Sequence, residues 1–386
     1  MAGMSFEDYV NAYYKGGLDI SKRYGIKKDD LTTGDSAYFN TMYGASVFNQ
    51  LNTKSDVFKL FRKEGWTQSG WRTLTARTAA ASNIGVAEGA GFGTSDVPDL
   101  YEMEATIKEI VSPYTVSTRA AILSEADDGI KGLATFLRAQ AAEAHSHYID
   151  THLCADYAAV AVAGSDVNFT PLTRIASNFA QVSARSGTAA AEVNVYNLAR
   201  DNDVTRQWAD AYVSGAGGTN RFLSLDLLDV TIQNAIENGA SYDNLILLMG
   251  HQQLTELKQL ITSGSSNATW RMALESQAPK GTNGVTSEPG MNLDGRMGYY
   301  DSIPIYATQH LATGMTDQSG GTSMGPILLL DMEHLYMKIA APTTFLAQED
   351  LANVQALKRN YAFMTAGEII CTKFATQGLI TDLKSA

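Results

Sequence analysis

His145, His147, His152 and Cys154 fall within ten residues of one another, and such side chains are the usual ligands of zinc. One metal needs its ligands about 2 Å away, and a helix brings side chains to one face at spacings of three and four. Here the pairs that share a face, His145 with His152 and His147 with Cys154, are seven residues apart. That is about 10.5 Å along a helix axis, too far for one ion. The cluster therefore reads as structural or as part of an interface, and neither a metal nor a cofactor is expected.

The other chemical candidates are weaker. Cys154 and Cys371 are the only cysteines, too few for a disulfide scaffold or a four-cysteine zinc site. Cys371 has no histidine near it in sequence and reads as buried packing rather than a nucleophile. Gly89-Ala90-Gly91-Phe92-Gly93 lacks the Lys-Ser/Thr ending of a phosphate loop and precedes a strand. Gly215-Ala216-Gly217-Gly218 fails in the same way and reads as a mobile link. Asp226 and Asp229 stand near a helix start, where carboxylates favour the dipole without catalysis. Neither a Gly-x-Ser-x-Gly elbow nor a His-Glu-x-x-His motif occurs, so the chain reads as a non-enzyme.

Aromatic and basic residues point instead to contacts between molecules. Trp66 and Trp71 lie near a glycine-rich excursion, and tryptophan is a frequent interface anchor. Lys358, Arg359 and Lys373 can pair with acidic surface or touch a polyanion. The chain has 386 residues, 41 acids and 29 bases, a net charge of -12 that argues against gripping nucleic acid over the whole surface. The acidity lies in residues 126–350, with twenty-four acids and twelve bases, whereas residues 351–386 hold four bases and two acids. With 45% hydrophobic and 18% charged residues the protein is globular. No signal segment and no long uncharged apolar run is visible, so a soluble, intracellular protein without membrane contact is expected.

The elements that must position these residues follow from periodicity. Residues 1–65 read as an arm packed against something else. Residues 66–99 are rich in Gly, Ala, Thr and Ser and would struggle to bury themselves. Tyr101, Met103, Ala105 and Ile107 then alternate with Glu102, Glu104, Thr106 and Lys108, which predicts a strand covered on one face. Together these suggest an extended hairpin that a partner must cover. From about Ala126 to Val160 the period becomes 3.6, with Ile130, Leu133, Leu137, Ala141, Ala144, Tyr148 and Ala155 as the inward stripe of a long helix. Asn168-Phe169-Thr170-Pro171 predicts a turn, and Asn194 to Trp208 a helix.

Beyond Ser224 the pattern sharpens. Leu225, Leu228, Ile232, Ala235 and Ile236 predict a helix stopped by Gly239. Leu245 to Met249 predicts a fully buried strand, and Gln252 to Ile261 another helix, so a sheet covered by helices is expected. A glycine-rich loop, 281–295, precedes strands at Ile303 to Ala307 and Ile327 to Leu330. The tail predicts two strands, Tyr361 to Met364 and Glu368 to Phe374, the second bounded by Gly367 and Gly378.

This order of elements resembles the major capsid proteins of tailed bacterial and archaeal viruses, the Hong Kong 97-like capsid fold, an α+β architecture. In that family a buried strand and helix, here Leu245 to Ile261, are followed by a Gly-x-Pro-like strand, here Tyr299-Tyr300-Asp301-Ser302-Ile303-Pro304-Ile305-Tyr306. An apolar segment from Gly325 to Met337 and a basic stretch, Leu357-Lys358-Arg359-Asn360-Tyr361, precede a closing strand, Cys371 to Leu379. Ser302 departs from the pattern, since a glycine often stands before the Ile-Pro pair. The resemblance implies an N-terminal arm (1–65), an extended loop over a neighbouring subunit (66–118), and a peripheral domain with a long spine helix (119–160 and 351–386). The axial domain would be 161–350, with a possible insertion at 161–221. It also implies pentamers and hexamers in an icosahedral shell around double-stranded DNA, part of a virion assembled in the host cytoplasm. Scaffolding, portal and cement proteins are the further partners it suggests. Trp66, Trp71, Phe92, Tyr101, Met103, Arg119, Lys358 and Arg359 are then the residues expected at subunit contacts. The shell of an encapsulin-type nanocompartment is the alternative within the same fold, and an α/β enzyme with an unrecognised site is the alternative outside it.

Overall fold

The computed structural model describes residues 57–76, 88, 99–117, 133–156, 167–180, 195–198, 200, 208–263, 296–311, 323–346 and 358–385. Most of the predicted arm, Phe92, Arg119 and the glycine-rich loop 281–295 lie outside the described residues. The chain falls into two compact units. The described residues of the first are 110–117, 133–148, 341–346 and 358–365, and the remainder belong to the second.

The second unit is built on a six-stranded sheet in the order β5-β14-β11-β7-β9-β8. Its strands are β5 (Tyr212–Ser214), β7 (Leu245–Gly250), β8 (Arg296–Tyr300), β9 (Ile303–Thr308), β11 (Ile327–Asp331) and β14 (Gly378–Ile380). The predicted buried strand is the centre of this sheet: β7 pairs in parallel with β9 and antiparallel with β11. Leu245, Leu247 and Met249 face one side of it, where they share a core with Leu228, Ile232 and Ala235 of helix α3 (Leu225–Glu237) and with Leu254 and Leu257 of α4 (His251–Ser263). Ile246, Leu248, Leu328 and Leu330 are buried too. An all-apolar strand is the expected sequence of a sheet covered on both faces.

Helix α3 ends where glycine was expected to stop it. Gly239 has φ +88, its N–H bonds the Ile236 carbonyl at 2.8 Å, and the Ala240 N–H bonds the Ala235 carbonyl at 3.0 Å. This paired closure satisfies carbonyls that the helix would otherwise leave open.

A four-stranded sheet has the order β1-β12-β13-β4, from β1 (Lys63–Gly65), β4 (Lys108–Ser117), β12 (Leu335–Leu346) and β13 (Lys358–Cys371). The two tail strands predicted on either side of Gly367 are one strand, β13. Gly367 lies within it because a Cβ there would collide with the Lys338 carbonyl of β12. The glycine permits a close approach of two backbones rather than marking a boundary. The closing strand is likewise shorter than expected, since residues 372–377 form a turn and β14 begins only at Gly378.

Helix α1 (Leu133–Leu153) bears out a long helix but ends it before Cys154 and Ala155, short of the expected Val160, and shifts its inward face. Ala144 and Tyr148 are exposed, whereas His145, Ile149, Asp150 and Leu153 are buried. A stripe drawn through apolar residues passes over His145 and Asp150, which are buried because they are hydrogen-bonded. In the first unit His145 is bonded through Nδ1 to Ser112 Oγ and through Nε2 to Thr365 Oγ1, each at 2.8 Å. In the second unit the Asp150 carboxylate accepts the Phe58 N–H at 2.7 Å.

Residues 167 to 222 also hold the short helix α2 (Leu172–Ile175) and β6 (Arg221–Phe222), which joins β15 (Leu383–Lys384) and β10 (Ser323–Met324) in a three-stranded sheet. Two further expectations change there. Residues 195–198 form a tight turn rather than a helix, with reciprocal backbone bonds between Val195 and Leu198. The Gly215 to Gly218 segment is a tethered turn, not a loose link. The Asp382 carboxylate accepts the Ala216 N–H at 2.6 Å and the Gly218 N–H at 3.2 Å.

Candidate functional site

The element best placed to meet another molecule is a two-stranded antiparallel ribbon, β2 (Gly70–Ala76) with β3 (Asp99–Glu104). Its register pairs Trp71 with Met103, Arg72 with Glu102, Thr73 with Tyr101 and Leu74 with Leu100. Directly opposed residues share a face, and faces alternate along a strand. One face therefore carries Trp71, Met103, Thr73 and Tyr101, and the other Arg72, Glu102, Leu74 and Leu100.

The first face is covered by the chain itself. Trp71 makes an edge contact with Tyr196 at 5.1 Å between ring centroids, and Tyr101 lies 5.5 Å from Trp208. Met103 is 1% exposed. The second face is open. Leu74 and Leu100 are 45% and 60% exposed, next to an exposed Arg72 to Glu102 ion pair of 3.0 Å. Two opposed leucines in water form a small apolar patch with a charged rim, the composition of a contact surface.

A turn holds the ribbon in place. The Asn197 side chain accepts the Glu104 N–H at 2.8 Å and donates to the Glu102 carbonyl at 3.2 Å, occupying the outer edge of β3 as a neighbouring strand would. Tyr196 donates its hydroxyl to the Ile369 carbonyl at 2.7 Å and accepts the Cys371 N–H at 3.0 Å, both on β13. Burial raises the Tyr196 hydroxyl well above its ordinary range, so it stays protonated as this donor.

Buried polar groups lie close by. Lys108 on β4 pairs with Glu368 on β13 at 2.7 Å and also donates to Thr170 at 3.1 Å. Glu368 accepts the Thr170 and Ile369 N–H groups, each at 2.9 Å. Burial pushes its carboxyl up, while Lys108 and those two donors oppose the rise. Arg200 is 1% exposed and donates to the Arg174 and Ile175 carbonyls at 2.8 and 2.9 Å, with the Phe374 ring 4.9 Å from its guanidinium carbon. Burial lowers its pKa to about 10, so it remains charged at neutral pH.

The residues first singled out for chemistry are otherwise engaged or far from one another. Cys371 is fully buried, donates its thiol to the Lys373 carbonyl at 3.3 Å, and is pushed up to about 12 by burial. Cys154 is raised well above its ordinary range by burial. Among the described residues no three His, Cys, Asp or Glu side chains gather to hold a metal. A shallow pocket beside α3 is lined by Asp229, Ile232, Gln233, Ile236, Glu237, Tyr242 and Asp301. Among the described residues no helix is long and apolar enough to cross a membrane.

Of the predicted contact residues, Trp71, Tyr101 and Met103 are brought together, but on the inward face of the ribbon. Trp66 is half-buried and its N–H bonds the Ile339 carbonyl at 2.9 Å. Lys358 and Arg359 open β13. Leu74, Leu100, Tyr196 and Asn197 were not singled out by sequence. The alternation of Trp71 and Thr73 with Arg72 and Leu74 could have marked Leu74 as an apolar residue on a polar face.

No family model and no curated protein matches this chain. Solved structures do. The chain is similar to the capsid asymmetric unit of cyanophage A-1(L), at 12% identity with a TM-score of 0.55, over 88% of this chain and 96% of that one. It is similar to the capsid of the empty GTA particle, at 11% identity with a TM-score of 0.51, over 88% and 94%. A Mycobacterium phage Bobi structure matches at 10% identity with a TM-score of 0.50, over 93% and 100%. The mixed sheets, the long helix and the two-stranded ribbon thus together form the Hong Kong 97-like capsid fold.

Proposed function

We propose that this chain is a structural shell subunit, the major capsid protein of a tailed virus. Its copies group as pentamers and hexamers in an icosahedral shell around double-stranded DNA. The observation that carries this reading is the likeness in fold to a phage capsid structure over 88% of this chain and 96% of the other. The open Leu74 and Leu100 face of the ribbon supports it, because an apolar patch displayed on a ribbon gains stability when a second copy covers it. Many such overlaps reinforce one another in a closed assembly.

In this reading residues 66–118 form the loop that reaches a neighbour, and 1–65 the N-terminal arm. Residues 119–160 with 351–386 form the peripheral domain, and 161–350 the axial domain. Trp66, Leu74 and Leu100 meet adjacent copies. Lys358 and Arg359 pair with acidic surface of adjacent copies, and the slightly basic tail as a whole faces the packaged DNA, where a less acidic surface reduces repulsion of phosphates. A net charge of -12 per copy makes close packing salt-dependent. Portal, scaffolding and cement proteins complete the set of partners, and the shell is made in the host cytoplasm.

The test is assembly size at two salt concentrations, by light scattering and negative-stain microscopy. Closed shells, or rings of five and six, support the proposal. A strict monomer or dimer under all conditions, including with any scaffold gene co-expressed, sinks it. The contents of isolated shells separate the uses: nucleic acid fits a genome container, and an enclosed enzyme fits a nanocompartment.

A further inference from the structure

The turn at Val195 to Leu198 holds one residue in a conformation that its side chain disfavours. Tyr196 has φ +55, the left-handed region that a residue with a bulky side chain rarely enters. Such a conformation persists only where the surroundings over-determine it, and clusters of them mark sites with a task. Here the surroundings are explicit. Val195 and Leu198 anchor the turn at 1% and 0% exposure, with backbone bonds of 3.1 and 2.9 Å between them. Between these anchors, Tyr196 and Asn197 project their side chains onto two different strands.

Tyr196 engages β13 with its hydroxyl, through Ile369 and Cys371, and the ribbon with its ring, through Trp71. Asn197 engages β3 through one donor and one acceptor at the same edge, Glu102 and Glu104. A ribbon of two strands has no third strand to set its direction, and an isolated pair is at best marginally stable. Asn197 supplies the two bonds a third strand would supply, and Tyr196 ties them to the sheet.

We propose that Tyr196 and Asn197 form a clip that fixes the pose of the β2–β3 ribbon on the body of its own subunit, so that the Leu74 and Leu100 face is presented outward in one orientation. The clip makes these two residues positioning residues for shell assembly, and in that respect it rests on the proposed function. The apolar patch makes the contact, and the clip aims it.

The test is hydrogen exchange of the full, unassembled chain, comparing wild type with Asn197→Ala and Tyr196→Phe. Tyr196→Phe removes the hydroxyl bonds and keeps the ring on Trp71, so it remains informative if the alanine variant folds poorly. The expected result is a rise of about tenfold or more in exchange within residues 70–76 and 99–104, with β7 and β11 unchanged, as for a local opening. Unchanged exchange in the ribbon overturns the clip. A parallel rise in the ribbon and in β7 and β11 also overturns it, because the turn would then be general support. Shell yield is the second readout: with the melting temperature held, both variants should assemble less. If wild type forms no shell, the proposed function fails while the exchange experiment still decides the clip.

Discussion

Lys108 Nζ and Glu368 Oε2 stand 2.7 Å apart with side chains 8% and 1% exposed, a charge pair almost removed from water. Thr170 serves both partners, accepting from the lysine through its hydroxyl and donating to the carboxylate through its N–H. Removing one member leaves the other as an uncompensated buried charge. Lys108→Met is therefore expected to destabilise the fold by about 3–5 kcal/mol. Lys108→Met combined with Glu368→Leu should recover much of that loss, since the double change leaves no isolated charge. Urea unfolding of the single and double variants checks this, and additive losses would contradict it.

Gly367 gives a second test. Its backbone lies against the Lys338 carbonyl so closely that no side chain fits. Gly367→Ala should force β12 and β13 apart at that point and destabilise by about 1–3 kcal/mol. A melting temperature equal to wild type would show that the strands can separate without loss.

His145 predicts a pH dependence. Burial lowers its pKa below the ordinary 6.5, and it is bonded to two hydroxyls, Ser112 and Thr365. The native state thus favours the neutral ring. Above the unfolded value of about 6.5 neither state binds the proton, and stability is at its full level. As pH falls below that value the unfolded chain takes up a proton first, so stability declines until the lowered native pKa is reached. Denaturant midpoints between pH 7.5 and 5 should fall more steeply for wild type than for His145→Gln. Equal slopes would remove His145 as the cause.

Leu74 and Leu100 test the outward face directly. Both are well exposed and opposed in register, so Leu74→Asp or Leu100→Asp should leave the unfolding free energy of the unassembled chain within about 0.5 kcal/mol of wild type. Each should weaken a contact between copies by about 1 kcal/mol or more, read as an increased protein concentration needed for assembly. Normal assembly of the double variant would show that this face meets nothing.

Where a pattern in the chain is local and apolar, it is legible before folding. Leu245 to Met249 announces a strand buried on both sides, because a short run of five large apolar residues between the turn-forming Asn244 and Gly250 suits a sheet covered on both faces. The Leu228, Ile232 and Ala235 repeat announces α3, and Gly239 its end, because the helical period and the left-handed cap are properties of a few adjacent residues. The strand through Tyr101 and Met103 is legible for the same reason, but it ends at Glu104 instead of running on to Lys108. Ile107 is exposed where a covered residue was expected, while Lys108 is buried by its pairing with Glu368.

Other features depended on partners distant in sequence. The inward face of α1 turns on His145 and Asp150, whose burial is offset by bonds to Thr365, 220 residues away, and to Phe58, 92 residues away. Gly367 reads as a breaker until Lys338 is seen against it. The turn at Tyr196 and Asn197 carries no apolar period, and its meaning comes only from the strands it touches. The chain alone therefore determined the central strand β7, the existence of helices α1, α3 and α4, and its acidic charge. Tertiary structure alone decided which polar residues are buried and which face of the ribbon meets the solvent. Hydrophobic periodicity is a short-range property of sequence, whereas satisfaction of a buried polar group depends on atoms that only the folded chain brings within bonding distance.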